Sequence, residues 1–150
     1  MYLIVTKSFP PDTGGMQTLM WGLTNSLAKH YMVKVFADQS DKNKILNENV
    51  SYSIERIVGP KLIRKYRKAY LVNDFIKNNK NVKGIIADHW KSLELIKTKK
   101  KKICLIHSKE INHDKGSMLN KRVLNVLNNV AYVISNSEYT KNLAVSLGVN

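Results

Sequence analysis

The sequence predicts an α/β fold, a three-layer sandwich whose mainly parallel sheet has about six strands. Two observations lead to this prediction. Short apolar runs alternate with segments of helical periodicity along the whole chain, and the apolar runs are mostly unbroken, as in strands that are buried on both faces. The 150 residues, 43% of them hydrophobic, are enough for one domain with its own core. We therefore expect residues 1–150 to form a single domain.

Six short segments have the composition of buried strands. The third alternates only in part and is expected nearer an edge of the sheet. The predicted strands are Tyr2–Thr6, Val33–Ala37, Val50–Ile57, Gly84–Ala87, Lys102–Ile106 and Ala131–Ser135. The polar segment Asp38–Asn49 is predicted to be a loop.

The segments between the strands repeat apolar residues at steps of three and four, as amphipathic helices do. Gly59-Pro60 opens one of them, because Pro is tolerated in a first turn. Ser117 and Ser137 are predicted N-caps, and a short helix is predicted at Ser92–Ile96. The residues expected to face the core are Met16, Leu19, Met20, Leu23 and Leu27 in the first helix, Leu62, Tyr66, Ala69, Val72 and Ile76 in the second, Leu119, Val123 and Val126 after Ser117, and Tyr139, Leu143 and Leu147 in the last.

The chain is strongly basic, with a formal net charge of +14 from 25 Lys and Arg against 11 Asp and Glu. Only four of the basic residues are Arg, the side chain that binds phosphate bidentately, so the charge favours diffuse attraction to a polyanionic surface. The single Cys104 excludes an internal disulfide and a cysteine zinc cluster. No apolar run approaches the roughly 20 residues of a membrane span, and the opening residues lack the features of a signal peptide. We expect a cytoplasmic protein.

Ligands of parallel α/β sheets bind at the carboxyl ends of the strands, so the residues that follow the strands are candidates for a site. Gly14 and Gly15 stand between the first strand and the first helix. A helix start with bare backbone N–H groups favours an anion such as a phosphate or a carboxylate. The alternative interpretation is a tight turn, since neither dinucleotide nor P-loop glycine pattern is present.

Two further groups follow the fourth and fifth strands. Asp88, His89 and Trp90 can hold a sugar, because a carboxylate and an imidazole bond to hydroxyl groups and an indole covers ring carbons. The alternative is a turn whose Trp packs under the next helix.

After the fifth strand, His107 can titrate near neutral pH, and Glu110 can orient it or accept from a hydroxyl. The alternative is a solvated loop. No metal site is predicted, because no helical His pair or added ligand cluster accompanies these residues.

The second helix carries five cations on its predicted non-core side. They are Lys61, Arg64, Lys65, Arg67 and Lys68. A basic amphipathic helix can lie on an anionic membrane surface, so this helix is a candidate for peripheral contact with the inner face of the membrane. The alternative is an ordinary charged surface helix.

Taken in order, these segments resemble a known family. The residues that carry the resemblance are Phe9-Pro10-Pro11-Asp12-x-Gly14-Gly15, then Leu23-x-x-x-Leu27-Ala28-x-His30-x-x-Val33-x-Val35, Ile85-Ile86-Ala87-Asp88-His89-Trp90, Leu105-Ile106-His107-x-x-Glu110, Val133-Ile134-Ser135-x-Ser137-Glu138-x-Thr140-Lys141 and Leu147-Gly148-Val149. The set resembles the N-terminal domain of family 4 glycosyltransferases, which have the GT-B fold, and it covers nearly the whole chain.

The resemblance implies a retaining enzyme of two Rossmann-like domains that transfers a sugar from a nucleotide-sugar donor to a glycan or lipid-linked acceptor, without a metal. It implies that this chain is the acceptor-side domain alone, inactive without a C-terminal donor-binding domain on the same or a second chain. The family has a histidine two residues before the Trp of the fourth-strand motif, where this chain has Asp88, with His89 one position later. Either residue could take the catalytic role. By the same matching, Gly14 and Gly15 would offer N–H groups to donor phosphates or acceptor, and His107 and Glu110 would line the acceptor side.

Two functions of other classes stay open on the sequence. The first is a basic nucleic-acid-binding domain, which the charge alone supports and which lacks a recognised motif. The second is a non-catalytic α/β domain that docks a partner protein.

Overall fold

The strands of the computed structural model lie close to their predicted positions. The structure describes residues 1–39 and 50–150. Its strands are β1 (Tyr2–Thr6), β2 (Val33–Asp38), β3 (Ser53–Ile57), β4 (Gly84–Ala87), β5 (Lys101–Ile106) and β6 (Tyr132–Ser135). They form one six-stranded sheet in the order β3-β2-β1-β4-β5-β6, and each neighbouring pair is parallel. The predicted fold class is confirmed, as is the edge position of the third strand.

The helices follow the strands in the alternation that the sequence predicts. They are α1 (Gly15–Ala28), α2 (Lys61–Asn78), α3 (Trp90–Leu93), α4 (Ser108–Ile111), α5 (Met118–Leu127) and α6 (Glu138–Leu147). The side chains of Ser117 and Ser137 cap α5 and α6 as predicted, and Gly148 ends α6 in the left-handed conformation. Among the described residues, no helix combines the length and apolar character that crossing a bilayer requires.

Several predicted boundaries need correction. β3 begins at Ser53 rather than Val50, and Asp38 is the last residue of β2 rather than the first of a loop. Residues 40–49 of that predicted loop lie outside the described residues. The short helix begins at Trp90 and not at Ser92, because the His89 side chain caps it by accepting a hydrogen bond from the Lys91 N–H. The short helix α4 was not predicted.

The core lies on both faces of the sheet. On β1, Leu3 and Val5 point to one face, which α2, α3, α5 and α6 cover. Ile4 points to the other face, where Met20 of α1 packs against it. The alternation of strand side chains thus produces three layers. The cover is uneven, since α1 contributes the only described helix residues of the second face and leaves the edge strand β6 half exposed, with Ile134 50% exposed.

Five residues predicted to face the core are exposed instead. They are Leu19, Leu62, Tyr66, Leu119 and Tyr139. All five lie in the first or second turn of their helices. In α1, α5 and α6 the residue that follows, Met20, Asn120 or Thr140, is the buried one, so the exposed residue lies on the outward side of its turn. Residues farther along, such as Val72, Val123 and Leu147, are buried as predicted.

One carboxylate ties three helices together. Glu94, directly after α3, forms an ion pair with Lys65 of α2. Its two oxygens also accept hydrogen bonds from Arg122 of α5, at 2.7 Å from Nε and 3.0 Å from Nη2. The hydrogen bond from Arg122 is the main cause that lowers the pKa of Glu94 from 4.5 to about 2.

We predict that Glu94→Gln destabilises the protein in a pH-dependent manner. Because the folded-state pKa of Glu94 is lowered, its stabilisation is complete above pH 4.5 and is lost as the pH falls toward 2. At neutral pH the variant should lose about 1 kcal/mol of unfolding free energy. The gap to the wild type should narrow as the pH falls below about 4. Urea unfolding at a series of pH values measures both.

The matched control is Glu138→Gln. Glu138 is 71% exposed and, among the described residues, pairs with Lys141 alone, one turn along α6, so its replacement should cost no more than about 0.5 kcal/mol. A pH-independent loss in Glu94→Gln, or an equal loss in the control, would contradict this account of the bridge.

Candidate functional site

The residues that follow β1, β2, β4 and β5 come together at the carboxyl edge of the sheet. Because the strands are parallel and β1 and β4 lie in the centre, their carboxyl ends open onto the same edge. This edge holds a network of buried polar groups, a histidine–carboxylate pair and a cleft lined by lysines.

The buried network joins three strands. Lys68 of α2 is 5% exposed, and its Nζ donates to the Thr6 carbonyl oxygen at 2.6 Å and to Asp38 Oδ1 at 2.8 Å. The Thr6 hydroxyl in turn contacts Asp88 Oδ2 through a short hydrogen bond. Burial raises the pKa of Asp88 to about 6, against the opposing effects of the Thr6 hydrogen bond and the Lys68 charge. The ends of β1, β2 and β4 are thereby fixed relative to one another.

His89 is held by both of its ring nitrogens. Nδ1 accepts from the Lys91 N–H at 3.0 Å, and Nε2 lies 3.2 Å from Glu110 Oε2. Since Nδ1 is an acceptor, the proton of the neutral ring lies on Nε2 and faces the carboxyl group. Burial, followed by the positive charges of Lys91 and Lys7, lowers the pKa of His89 from 6.5 to about 4, so the ring is neutral at physiological pH.

Glu110 joins the two histidine motifs. Its Oε1 accepts from the His107 N–H at 3.3 Å, while Oε2 faces His89. Burial raises the pKa of Glu110 to about 8, and the hydrogen bond from His107 opposes that rise. The predicted pair His107 and Glu110 therefore lies in contact with the predicted residue His89, and the solvated loop that was the alternative for this motif does not occur.

Two buried polar atoms of this cluster lack a hydrogen-bond partner among the described residues. They are Asp88 Oδ1 and His107 Nε2. Burial also lowers the pKa of His107, which favours the neutral ring. Because the ring accepts from the Glu110 N–H, its proton lies on the unpaired Nε2, which is a donor, whereas Asp88 Oδ1 is an acceptor. An unpaired buried polar atom costs free energy, and a hydroxyl group can donate to the one and accept from the other.

The prediction that Trp90 binds substrate is wrong. The side chain is fully buried, and its Nε1 donates to the Glu110 carbonyl oxygen at 3.0 Å. Lys91 and Arg122 cover the ring from outside. The indole is apolar enough to be drawn under α3 into the core, so it supports the site from below and offers no face to a sugar.

Gly14 and Gly15 stand at the start of α1 as predicted. Gly15 is the first residue of the helix, and Gly14 precedes it without a side-chain cap. Gly14 has φ 153°, which favours glycine, whereas a Cβ on Gly15 would meet nothing within 4 Å. Among the described residues, no hydrogen bond joins either glycine to the His89–Glu110 cluster, so they share its edge of the sheet through topology and not through contact.

A cleft runs along this edge beside the cluster. One part, of about 210 Å³, is lined by Lys7, Asp38, Lys61, Lys65, Lys68, Ala69, His89, Lys91 and Ser92. A second part, of about 400 Å³, is lined by Lys7, Ser8, Asp12, Asp38, Gln39, Lys61 and Arg64. The shared residues Lys7, Asp38 and Lys61 show that the parts adjoin. His89 lies in the wall of the cleft, and Asp88 lies beneath it.

The predicted membrane-facing set on α2 needs correction at Lys68, which is buried. Three more of its cations have partners within the protein: Lys65 pairs with Glu94, Arg64 donates to the Gly59 carbonyl at 2.6 Å, and Arg67 donates to the Val58 carbonyl at 3.3 Å. Lys61 and Arg67 are exposed, and the helix exposes four large apolar side chains beside them. They are Leu62, Ile63, Tyr66 and Tyr70.

Several residues of the site were not identified as site residues by the sequence analysis. Lys7 and Asp38 directly follow or end buried strands, so the rule that singled out Asp88 and His107 could have included them. Lys91 follows the fourth-strand motif in the same way. Thr6 had no such signal, and Lys68 was assigned to the membrane-facing set, because their roles depend on a contact between residues 62 positions apart.

The described residues contain no group of three or more His, Cys, Asp or Glu that could hold a metal ion. No protein-family model and no curated protein matches the chain. The glycosyltransferase resemblance therefore stays a prediction that rests on the motif residues alone.

We predict that His89 is neutral at pH 7 with its proton on Nε2, and that its ring titrates near pH 4. Because the unfolded chain takes up this proton first, His89 should reduce stability as the pH falls from about 6.5 to about 4. Long-range ¹H–¹⁵N NMR of the imidazole measures the tautomer and the titration.

Glu110→Gln is the matched variant, since an amide oxygen can still accept from Nε2. It should leave the tautomer unchanged, whereas replacement of His89 by Asn should remove the signal and assign it. A proton on Nδ1, or half-protonation near pH 6.5, would refute the arrangement described.

Proposed function

We propose that this chain is the acceptor-side part of a retaining glycosyltransferase that uses a nucleotide-sugar donor. The observation that carries the proposal is the cluster of Asp88, His89, His107 and Glu110 at the carboxyl edge, with two buried polar atoms left unpaired. Sugar hydroxyls suit such a cluster because they both donate and accept, and the edge is where parallel α/β sheets bind ligands.

His89 is the member of the Asp88–His89 pair that we propose for contact with a sugar. It lines the cleft, whereas Asp88 is 3% exposed and turned toward Thr6. In the ligand-free arrangement both ring nitrogens of His89 are engaged, so a sugar would contact the ring edge or displace Glu110. Asp88 would then act beneath it as a positioning residue.

His107 is proposed to receive the acceptor. Its unpaired Nε2 carries the proton of the neutral ring, since the ring already accepts from the Glu110 N–H, and it could donate to an acceptor hydroxyl. Glu110 fixes both histidines and would hold the two rings at a constant separation. The contribution of these residues would be positioning and charge stabilisation, with the departing diphosphate of the donor assisting removal of the acceptor proton.

Gly14 and Gly15 are proposed to face the donor phosphates. A helix start with bare N–H groups stabilises an anion, and Gly15 has open space where a side chain would stand. The remaining donor contacts would come from a second domain, so the 150 residues alone should bind nucleotide sugars weakly and turn none over.

We predict that Gly15→Leu weakens nucleotide-sugar binding without destabilising the fold. The added Cβ meets nothing, and Leu stabilises a helix relative to Gly by up to about 1 kcal/mol, so the unfolding free energy should stay equal or rise. In ¹⁵N NMR titrations of the whole chain with millimolar UDP-glucose, GDP-mannose and ADP-glucose, at least one should shift the amides of residues 14–17 and the His89 ring. The variant should lose those shifts.

Gly22→Leu is the matched control, because Gly22 is also exposed in α1 with open space at its Cβ but lies two turns from the helix start. It should titrate like the wild type. If no nucleotide sugar moves residues 14–17 or His89, or if both variants respond alike, the proposed donor contact is wrong. Saturable binding of mixed oligonucleotides at the same residues would favour the nucleic-acid alternative.

A further inference from the structure

The cleft beside His89 is lined by an excess of cations that the proposed sugar chemistry does not use. Its two adjoining parts contain six Lys and Arg side chains against two Asp. The cations are Lys7, Lys61, Arg64, Lys65, Lys68 and Lys91, and the acids are Asp12 and Asp38. Sugar hydroxyls need no such charge, and the donor phosphates are proposed to face Gly14 and Gly15, which do not line these two parts, so this lining requires a separate explanation.

Part of the charge has a structural use. Lys68 is neutralised by Asp38 at 2.8 Å, and Lys65 by Glu94. Arg64 donates to the carbonyl oxygens of Gly59 and Gln39. These three cations hold α2 against neighbouring parts of the fold. Their presence in the cleft can therefore be explained without a ligand.

Lys7 and Lys91 differ from the others. Both are exposed, and neither forms an ion pair within residues 1–39 and 50–150. They approach the cleft from two different strand ends, after β1 and after β4, and both act on the His89 ring by lowering its pKa. Two ammonium groups that lack an ion-pair partner among these residues therefore line the part of the cleft whose wall includes His89, and that of Lys91 also lies 5.2 Å from the centre of the Trp90 ring.

We propose that this cleft binds a phosphate group carried by the acceptor substrate, with Lys7 and Lys91 donating to its oxygens. Lysine serves as a point-charge phosphate ligand that needs no bidentate geometry. A phosphate monoester carries a charge near −1.5 to −2 at neutral pH, which two lysines balance. The volume of about 210 Å³ admits a phosphate group and its ester carbon.

This inference deepens the proposed function, because only that function makes the anion part of an acceptor. A phosphate held by Lys7 and Lys91 beside His89 would leave the rest of the acceptor directed toward His107 and Glu110. A phosphate site in this cleft would restrict the acceptor to phosphorylated molecules, either soluble phosphate esters or lipids with a phosphate headgroup.

The test is an NMR titration of the whole chain with inorganic phosphate and with glycerol 1-phosphate, at ionic strength held constant with chloride. We expect saturable shifts at the amides of Lys7, Ser8 and Lys91. The double variant Lys7→Gln, Lys91→Gln should weaken binding at least about tenfold. Lys99→Gln, Lys100→Gln is the charge-matched control near the opposite, amino end of β5, and it should change the affinity by less than about twofold.

Shifts that do not saturate, or equal weakening in both double variants, would show diffuse attraction to a basic surface and overturn the proposal. A lipid source is tested with phosphatidylcholine vesicles with and without phosphatidic acid. Sedimentation that needs phosphatidic acid and is lost in the Lys7, Lys91 variant but not in the control supports a lipid headgroup. Specific binding of glycerol 1-phosphate without vesicle binding supports a soluble ester.

The phosphate titration and the nucleotide-sugar titration can fail independently of each other. Specific phosphate binding at Lys7 and Lys91 with no response of residues 14–17 to any nucleotide sugar would keep the anion site and remove the glycosyltransferase proposal. A response of residues 14–17 to a nucleotide sugar, without specific phosphate binding, would keep the glycosyltransferase proposal and remove the anion site.

Discussion

The buried ammonium of Lys68 is the interaction on which the carboxyl edge depends. It reaches from α2 to the last carbonyl of β1 and to the carboxylate that ends β2. Through Thr6 it is linked to Asp88 at the end of β4. A buried cation costs several kcal/mol of desolvation unless it is fully paired, so its partners cannot separate without a large penalty. Three strand ends are thereby held at fixed positions.

The chemistry of the site follows from the burial of polar groups at that edge. Burial raises the pKa of Glu110 to about 8 and lowers that of His89 to about 4, so both groups are neutral at pH 7, whereas Asp88 with a pKa of about 6 is mostly ionised. The exposed ammonium groups of Lys7 and Lys91 stand outside the cluster, at the rim of the cleft. A hydrogen-bonding interior beside a cationic rim suits a ligand with hydroxyl groups at one end and an anion at the other.

The sequence predicted the sheet closely and the inward face of α2 poorly, for a physical reason. The strands β1 and β4 matched residue for residue, because buried parallel strands are marked by apolar composition alone. On α2, periodicity assigned Leu62 and Tyr66 to the core and Lys68 to the surface, and the structure has the reverse. The first half of this helix faces the polar edge of the sheet, where inward positions carry charge. Hydrophobic patterning fails at sites that bind polar groups.

In the candidate site, too, some residues could be located from the sequence, whereas others depend on packing that no local pattern shows. Strand ends located Asp88, His89, His107 and Glu110, since topology alone brings them to one edge. Trp90 was misassigned because an indole is equally suited to a sugar face and to a core, and only packing decides between them. The pairings of Lys68 with Asp38 and of Lys65 with Glu94 join residues about 30 positions apart. No local pattern marks them.

The most direct test of the central constraint is a double-mutant cycle on Lys68 and Asp38, measured as free energies of unfolding at pH 7. Lys68→Met leaves Asp38 and the Thr6 carbonyl unpaired and should cost about 3–5 kcal/mol. Asp38→Leu in that background should cost less than it does beside Lys68, with a coupling energy of about 1–3 kcal/mol. A loss below about 1 kcal/mol for Lys68→Met, together with an additive cycle, would show that the edge does not depend on this cation.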